Sequence, residues 1–473
     1  MEKDYQSVLI KVLQRIKPDE MSKEQLSKLS EKALKLANEI GKPYEVEAIL
    51  AGSFARNTWL SDKKEFDVFL LFNPKFSREE LEKIGLEIGK KVIQELGGKW
   101  RIKYAEHPYV RGKIGNFEID VVPCYKVSST SELKSAVDRT PFHLRYVKAK
   151  LTPRLCDEVI LLKQLLKANE LYGADAKTQG FSGYACELLI IRYGSFIQVL
   201  KECLSWNPGH IIDIENLWGI KDYPKLKRKF KYQPLIIIDP VDKNRNVTAA
   251  LSPENFFRFK KIAREFLKNP KTSYFSKKRI KPITPNELKK VIEERGTELL
   301  LIKFKPPAVL PDILWPQLRK FAERLQNILE ERKYEFKVLR RDVFTDERKI
   351  ALVLMEMEVA KLPKIQKRIG PSIFDLDDSE RFLKKYSRIA VTGPFVEGTN
   401  WCVEIRRKFL TAKEKIIDSL KKPTETLKAK GIPSHIAEEI AKDFEIIDGK
   451  EIFREIESNK RIGIFLRLSL IHI

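Results

Sequence analysis

An apolar, strand-forming run with two acids at its start is the feature that most constrains this fold. The run ends the stretch AGSFARNTWLSDKKEFDVFLLF, residues 51–72, where Glu65 and Asp67 stand two positions apart. Residues i and i+2 of a strand share a face, so the two carboxylates project together while Phe66 and Val68 point into a core. Because adjacent carboxylates repel each other, the pair predicts a cation site at the edge of a buried strand.

A second strand offers a third acid. In FEIDVVP, residues 117–123, Asp120 lies between apolar neighbours, and Glu118 shares its face as a weaker candidate. Three acids on two neighbouring strands can hold two metal ions about 4 Å apart, which suits in-line displacement at a phosphoryl centre. We expect Mg²⁺, which takes oxygen ligands and keeps waters that a phosphate can replace. The first pair alone leaves another interpretation open, the solvent face of an edge strand.

A Gly-Ser turn precedes the first acid pair and favours a nucleotide site. Gly52 allows close approach of the backbone to a ligand, and Ser53 offers a hydroxyl and N–H donors at the start of a short helix. The chain has no G-x-x-x-x-G-K-[ST] and no G-x-G-x-x-G, so the P-loop and Rossmann folds lose their motif. The turn, the E-x-D pair and the distant acid are together more specific than any one of them.

The charge balance favours a polyanionic partner. The chain has 90 Lys and Arg against 66 Asp and Glu, a net charge of +24. Such an excess favours nucleic acid, since binding of phosphates releases counterions. A solubilising surface or a lysine-rich thermophile composition is the alternative.

Other features predict a soluble, cytoplasmic protein with no membrane contact. The five cysteines are scattered and contain no C-x-x-C pair, so reduced thiols fit better than zinc ligands or a disulfide framework. The N-terminal MEKDYQSVLIKVLQ lacks the apolar core of a signal peptide, and no apolar run is long enough to span a membrane.

The length of 473 residues predicts about three domains. We predict an α+β multidomain fold with an N-terminal head of mixed sheet and helices over 1–140, a helical middle domain over 141–257, and an α+β region over 258–473. Two amphipathic helices split near Pro18 should open the head. Its predicted strands are Tyr44–Leu50, Phe66–Phe72, Lys99–Ala105, Pro108–Lys113 and Phe117–Val122. A helix over Ser77–Leu96 is predicted between the second and third of them.

These motifs together resemble the DNA polymerase β nucleotidyltransferase superfamily, and in particular the archaeal (class I) CCA-adding enzymes, which are tRNA nucleotidyltransferases. The resemblance is carried by the opening stretch and by YAEHPYVRG, FEIDVVPCYKV, DRTPFHLRYV, GFSGYACELLI and DPVDKNRNVTAALS. It is strong over about residues 45 to 255 and continues more loosely through GPFVEGTNWCVEIRRKF, residues 393–409. It implies a polymerase-β-like catalytic head, a nucleotide-selecting middle domain and a tRNA-binding body and tail.

The resemblance implies template-independent addition of C, C and A to the 3′ end of tRNA from CTP and ATP, with release of pyrophosphate. By the family pattern Glu65, Asp67 and Asp120 are catalytic and hold the metal ions. Many superfamily relatives have Asp at the first position, where this chain has Glu65, and we expect the longer side chain to be accommodated. The implied nucleotide contacts are Ser53, Arg56, His143, Lys163 and Tyr172, with Arg245 selecting C or A at the base edge.

Several of these residues have an ordinary structural interpretation when each is taken alone. A histidine such as His143 is usually a surface or satisfied core residue. Lys163 lies in an amphipathic helix, where a solvated lysine is common, and Tyr172 and Tyr184 could simply cap the core. Only the joint pattern makes them candidates.

Two basic segments with interleaved aromatics predict an RNA surface. Lys221–Gln233 has six Lys and Arg against one acid, and Arg258–Lys281 has ten against one. Either could instead be a solvated face. If they track an A-form acceptor arm through phosphates and 2′ hydroxyls, many tRNA species should be accepted. We also predict that the helix around residues 315–329 contacts the far end of that arm.

Two alternatives stay open from the residues. A poly(A) polymerase or oligoadenylate-type synthase would keep the head and add long A tails, and a non-catalytic RNA-binding protein would have a decayed head. A homodimer is compatible with the sequence, which does not itself set an oligomeric state. The last six residues, LSLIHI, match the translation of a common sequencing adapter, so we expect the natural C-terminus to differ.

Overall fold

The computed structural model describes residues 5–104, 106–331 and 334–471. It divides into two compact units, Met1–Lys278 and Arg279–Ile473. The domain boundaries predicted at 140/141 and 257/258 stay predictions, and one helix of the first unit runs across 257/258. No helix in the described part of the chain is long and apolar enough to cross a membrane.

The first unit begins with the two predicted helices and a mixed five-stranded sheet. In this sheet β2 and β5 pair in parallel and the other neighbours are antiparallel, in the order β1-β2-β5-β4-β3. The predicted strands are confirmed within a few residues, although Ala105 lies outside the described residues. The elements are α1 Tyr5–Ile16, α2 Glu20–Gly41, β1 Glu47–Ala51, α3 Gly52–Ala55, β2 Glu65–Phe72, α4 Arg78–Glu95, β3 Lys99–Tyr104, β4 Pro108–Ile114 and β5 Phe117–Tyr125.

The alternation of β2 and β5 places the apolar residues and the acids on opposite faces, as predicted. Phe66 and Val68 are buried in the core that α2 and α4 cover, together with Ile119 and Val121. Helix α4 begins at a capping box, because Ser77 accepts from the Glu80 N–H and the Glu80 carboxylate accepts in return. The opposite face, which carries the acids, therefore faces the rest of the first unit.

The middle of the chain is helical, as predicted, but it also contains a small sheet that we did not predict. The sheet has the order β6-β7-β8, and all five residues of β7 are buried. Its strands are only three to five residues long, so the helical periodicity on either side outweighed them. The elements are α5 Thr140–Lys150, α6 Pro153–Ala168, α7 Gly183–Tyr193, α8 Phe196–Cys203, β6 His210–Ile212, α9 Tyr223–Lys229, β7 Leu235–Asp239, β8 Asp242–Asn246 and α10 Pro253–Lys268.

The second basic segment, Arg258–Lys281, differs from the prediction in its aromatic residues. Phe259, Phe266 and Phe275 are buried in the same hydrophobic core as α6, α7 and α8. They recur on one face of α10 and in the turn after it, so their spacing reflects helix packing. These three rings are therefore not available to stack on RNA bases.

The second unit has the predicted α+β composition. A four-stranded sheet of order β10-β11-β9-β15 and a three-stranded sheet of order β12-β14-β13 carry its helices. The helix α12 was predicted, around residues 315–329. The elements are α11 Pro285–Arg295, β9 Glu298–Phe304, α12 Pro311–Leu329, β10 Lys337–Thr345, β11 Ala351–Val359, β12 Ile365–Ser372, α13 Leu376–Tyr386, β13 Ala390–Glu397, β14 Asn400–Arg406, α14 Ala412–Leu420, α15 Thr424–Ala429, α16 Ser434–Lys442, β15 Glu445–Asp448, α17 Lys450–Ser458 and α18 Lys460–Leu470.

Candidate active site

The Gly-Ser turn packs directly against the second acid of the E-x-D pair. Strand β1 ends at Ala51, which pairs with Asp67 on β2. Gly52 follows with φ +72°, and a Cβ at this position would lie 1.7 Å from Asp67 Oδ2. Only glycine combines this left-handed backbone with this approach. The predicted close approach is therefore to the Asp67 carboxylate, and Ser53 lies partly exposed on the same turn.

The three predicted acids lie at neighbouring positions of the two parallel strands. Asp67 on β2 is directly opposite Asp120 on β5, and Glu65 is opposite Glu118. Burial, together with the negative charges of the Asp120 and Glu65 carboxylates, raises the pKa of Asp67 to about 7. The site thus concentrates negative charge that the protein does not fully neutralise.

An arginine that we did not predict forms a salt bridge with one of these acids. Arg111 on β4 is the register partner of Asp120, and its Nε and Nη2 donate to Oδ1 and Oδ2 at 2.6 and 2.5 Å. Its Nη1 also donates to Glu118 at 3.3 Å. Burial raises the pKa of Asp120, and the hydrogen bonds from Arg111 oppose that rise. The two predicted strands Pro108–Lys113 and Phe117–Val122, separated by only three residues, were the signal that could have identified this pair.

The acids have the donor chemistry of a divalent metal site. Among the described residues, no three His, Cys, Asp or Glu side chains are already arranged to hold a metal ion. Glu65, Asp67 and Asp120 nevertheless supply oxygen ligands of the kind that hard cations prefer. A cation would relieve the repulsion that raises the pKa of Asp67. Binding through Asp120 would have to compete with its bidentate pair to Arg111.

A pocket of about 220 Å³ lies beside the acids, between the head and the middle helices. Three predicted residues, Arg56, Asp67 and His143, line it together with Gly52 and Tyr184. The pocket therefore combines a half-buried acid with an arginine and a histidine. This combination is suited to a phosphate ester and its counter-charge.

The side chains of His143 and Arg245, which are 102 positions apart in the chain, meet at one buried acid. Asp239 Oδ2 accepts from His143 Nε2 at 2.9 Å and from Arg245 Nη1 at 2.8 Å. The Tyr184 hydroxyl donates to Asp239 Oδ1 at 3.0 Å, and its ring stacks on His143 with centroids 4.0 Å apart. Burial alone would raise the pKa of Asp239, but the hydrogen bond and charge of His143 and the charge of Arg245 hold it below its usual value.

Arg56 and Lys163 meet at a second buried acid. Glu187 on α7 is fully buried and accepts from Arg56 Nε at 3.1 Å and from the Thr58 hydroxyl at 2.6 Å. Lys163 on α6 donates to Glu187 at 3.3 Å and to the Thr58 carbonyl at 3.0 Å. Burial lowers the pKa of Lys163, and the charge of Glu187 opposes that change. Its ammonium is thus inside the protein and already paired.

Tyr172 lies beside this second network. A Cβ on Gly183, at the start of α7, would lie 3.0 Å from the Tyr172 hydroxyl and 3.5 Å from Lys163 Nζ. The glycine therefore keeps space open between these two polar groups. The ring of Tyr172 also receives Lys63 Nζ at 5.6 Å from its centroid.

Arg111, Glu187 and Asp239 are the site residues that sequence reasoning missed. Each is the counter-charge of a residue that we predicted. The signal for two of them was a lone acid in an apolar stretch, Glu187 in YACELLII and Asp239 at the end of LIIID. Such an acid is almost never buried without a partner.

Three family models match the chain in succession. They are described as nucleotidyltransferase domain, over residues 30–143, tRNA nucleotidyltransferase second domain, over 157–276, and CCA-adding enzyme C-terminal domain, over 295–449. The chain is also similar to whole proteins, among them a CCA-adding enzyme of Archaeoglobus fulgidus, 38% identical over 95% of this chain and 96% of the relative. The CCA-adding enzymes of Methanocaldococcus jannaschii and Methanosarcina barkeri are 43% and 38% identical, over 82% and 95% of this chain and 85% and 96% of the relatives.

Proposed function

We propose residue roles from one premise, that this chain belongs to the family of CCA-adding enzymes, the tRNA nucleotidyltransferases. As a member, it adds C, C and A to the 3′ end of tRNA from CTP and ATP without a nucleic-acid template. The observation that carries the assignment of the active centre is the Asp67–Asp120 register pair beneath the Gly52 turn. We propose Glu65, Asp67 and Asp120 as the catalytic residues.

The superfamily is metal-dependent, and we propose Mg²⁺ as the cofactor that Glu65, Asp67 and Asp120 hold. When bound, the cation would acidify the 3′ hydroxyl of tRNA and neutralise charge on the triphosphate. The protein's own part is to hold three carboxylates on one face of two rigid strands. Gly52 leaves room for the Asp67 carboxylate in the cluster, because a Cβ at this position would lie 1.7 Å from Asp67 Oδ2.

The pocket residues bind and orient the nucleotide in our proposal. Arg56 and His143 line the pocket beside Asp67 and can donate to phosphate oxygens, and Ser53 adds a hydroxyl on the neighbouring turn. Tyr172 contributes a hydroxyl near the start of α7. For Lys163 the structure supports action through Thr58 and Glu187, because its ammonium would have to leave that pair to reach a phosphate.

The partner surfaces are proposed from charge and exposure. In the first basic segment, Lys221–Gln233, the ring of Tyr232 is 83% exposed among lysines. It can stack on an unpaired base while the lysines track phosphates of the tRNA acceptor arm. Helix α12 remains our proposed contact with the far end of the arm. A cytoplasmic location, where tRNA is processed, and a homodimer complete the proposal.

Nucleotide addition to a tRNA transcript that ends at its discriminator base tests the function. The purified protein receives a divalent cation with labelled CTP and ATP, separately and together. We expect two C additions with CTP alone and one A only after ATP is present. A long A tail would instead indicate the poly(A) polymerase or oligoadenylate-type activity, which the family does not favour. Tight tRNA binding without incorporation would indicate a non-catalytic RNA-binding protein.

A further inference from the structure

Asp239 holds one corner of the Arg245 guanidinium through a hydrogen bond. The bond uses one terminal nitrogen, Nη1, at 2.8 Å, and 36% of the arginine side chain is exposed while the acid is fully buried. A guanidinium carries five N–H donors in one rigid plane. Holding one corner on a buried acid restricts where the guanidinium lies and leaves other donors able to face a ligand.

The orientation of Asp239 is itself set by elements on both sides. Its carboxylate accepts from His143 on α5 and from Tyr184 on α7, in addition to the Val241 N–H at 3.2 Å. Asp239 ends the fully buried strand β7, so its backbone has little freedom. His143 and Tyr184 also line the pocket beside Asp67, so the Arg245 pair and that pocket share one anchor.

The chemistry of the bases explains what an oriented guanidinium can select. Cytosine N3 and adenine N1 are acceptors on the Watson–Crick edge, whereas uracil N3 and guanine N1 carry a hydrogen and donate. A guanidinium has only donors. At these ring nitrogens it can therefore hydrogen-bond to cytosine and adenine, whereas with uracil and guanine a donor would face a donor. Discrimination is large when the wrong base leaves a desolvated group unpaired, and it falls when the arginine can move aside.

We infer that Asp239 is a positioning residue for nucleotide selection, which acts by holding Arg245 against the base edge. The inference rests on the proposed function and on the base-selecting role that the family resemblance implies for Arg245, and it deepens that role. It assigns the selection of CTP over UTP, and of ATP over GTP, to an acid that does not touch the nucleotide.

The test is the ratio of kcat/KM for CTP to kcat/KM for UTP, measured on a tRNA transcript that ends at the discriminator base. We expect Asp239→Asn to lower this ratio about tenfold or more, since it removes a charge-assisted hydrogen bond. Incorporation of CTP itself should persist. The ratio for ATP over GTP, on a transcript ending in CC, should fall in the same way.

A double-mutant cycle separates positioning from general damage. If Asp239 acts through Arg245, the double variant with Arg245→Ala and Asp239→Asn should have the same CTP/UTP ratio as Arg245→Ala alone. Asp242→Asn is the matched control, because Asp242 lies on the same hairpin and pairs with Arg139 at 3.0 Å. That variant should keep the wild-type ratio.

Each outcome then has one meaning. An unchanged CTP/UTP ratio in folded Asp239→Asn, or an additive loss in the double variant, overturns the inference while the CCA-adding function stands. Failure of the wild-type protein to add CCA overturns the proposed function instead. If thermal unfolding shows that Asp239→Asn does not fold, Asp239→Glu keeps the charge but shifts the guanidinium by one methylene, and the same loss of ratio is expected.

Discussion

Asp67 on β2 lies directly opposite Asp120 on β5, at the same register position of two parallel strands. Phe66 and Val68 fix this register from the other face, because a slip by one residue would move them out of the core. The hydrophobic pattern of β2 thus determines where the acids lie. One short strand therefore supplies both the core residues and the acids.

Asp67→Asn should abolish nucleotide addition and spare tRNA binding. The substitution is nearly isosteric but removes a negative charge from the acid cluster. Loss of a metal-holding charge removes several kcal/mol of transition-state stabilisation, roughly a thousandfold in rate. Single-turnover incorporation and tRNA binding by filter retention are the two measurements. Loss of incorporation together with tRNA binding would show that the head had unfolded. Retained incorporation would show that Asp67 is not part of the active centre.

The metal-free protein should lose stability as the pH rises through about 7 because of Asp67. The pKa of this carboxyl is raised from 3.8 in the folded state, so between these values the folded protein binds the proton more tightly than the unfolded chain. The stabilisation is present below about pH 4 and is lost above about pH 7, with an upper bound of about 4 kcal/mol.

Urea unfolding in the presence of a chelator measures this effect. We expect Asp67→Asn to be more stable than the wild type at about pH 8, with a smaller difference at about pH 5. Excess Mg²⁺ should stabilise the wild type and leave the variant nearly unchanged. Equal pH profiles for the two proteins would show that Asp67 titrates normally.

The sequence was informative where function depends on local patterns. Glu65, Asp67 and the Gly52 turn lie within sixteen residues, and alternation alone placed the acids on one face of β2. Arg111, Glu187 and Asp239 were not predicted, because each is defined by a partner on another element. Which cation meets a buried acid depends on tertiary packing, which periodicity does not report.

In the basic segment Arg258–Lys281 the sequence led to a wrong prediction about the aromatic residues. Its aromatic residues have the same spacing that an RNA-stacking surface would have, but Phe259 and Phe266 face the core of the first unit. The hydrophobic face of an amphipathic helix and an aromatic platform cannot be distinguished from composition. In Lys221–Gln233 only the ring of Tyr232 is exposed, whereas Tyr223 and Phe230 pack against a small hydrophobic cluster.

Gly52→Ala should inactivate the enzyme through Asp67. The new Cβ would lie 1.7 Å from Asp67 Oδ2, so the carboxylate must move out of the cluster. A left-handed backbone adds a cost of about 1 kcal/mol or more. Gly97→Ala is the matched control, with φ +71° but nothing within 4 Å of the added methyl. Both variants should be destabilised, Gly52→Ala the more because of its displaced carboxylate, and only Gly52→Ala should lose CTP incorporation; equal activities would contradict the proposed role of the turn.

Glu187→Gln should weaken nucleotide binding as well as destabilise the protein. It leaves Arg56 and the buried Lys163 without their shared counter-charge, and removing one partner of a buried pair costs about 3–5 kcal/mol. With Arg56 no longer held toward the pocket, the KM for CTP should rise about tenfold, the size of one charge-assisted hydrogen bond.

Glu356→Gln is the control for the Glu187 variant. Glu356 is also fully buried and accepts from Arg295 at 2.6 and 3.0 Å and from Thr297 at 2.8 Å, but it lies in the second unit. Both variants should lower the midpoint of urea unfolding, because each leaves an arginine without its carboxylate. Only Glu187→Gln should raise the KM for CTP. If Glu356→Gln raised it equally, the effect would follow from lost stability, and Glu187 would have no part in holding Arg56 for the nucleotide.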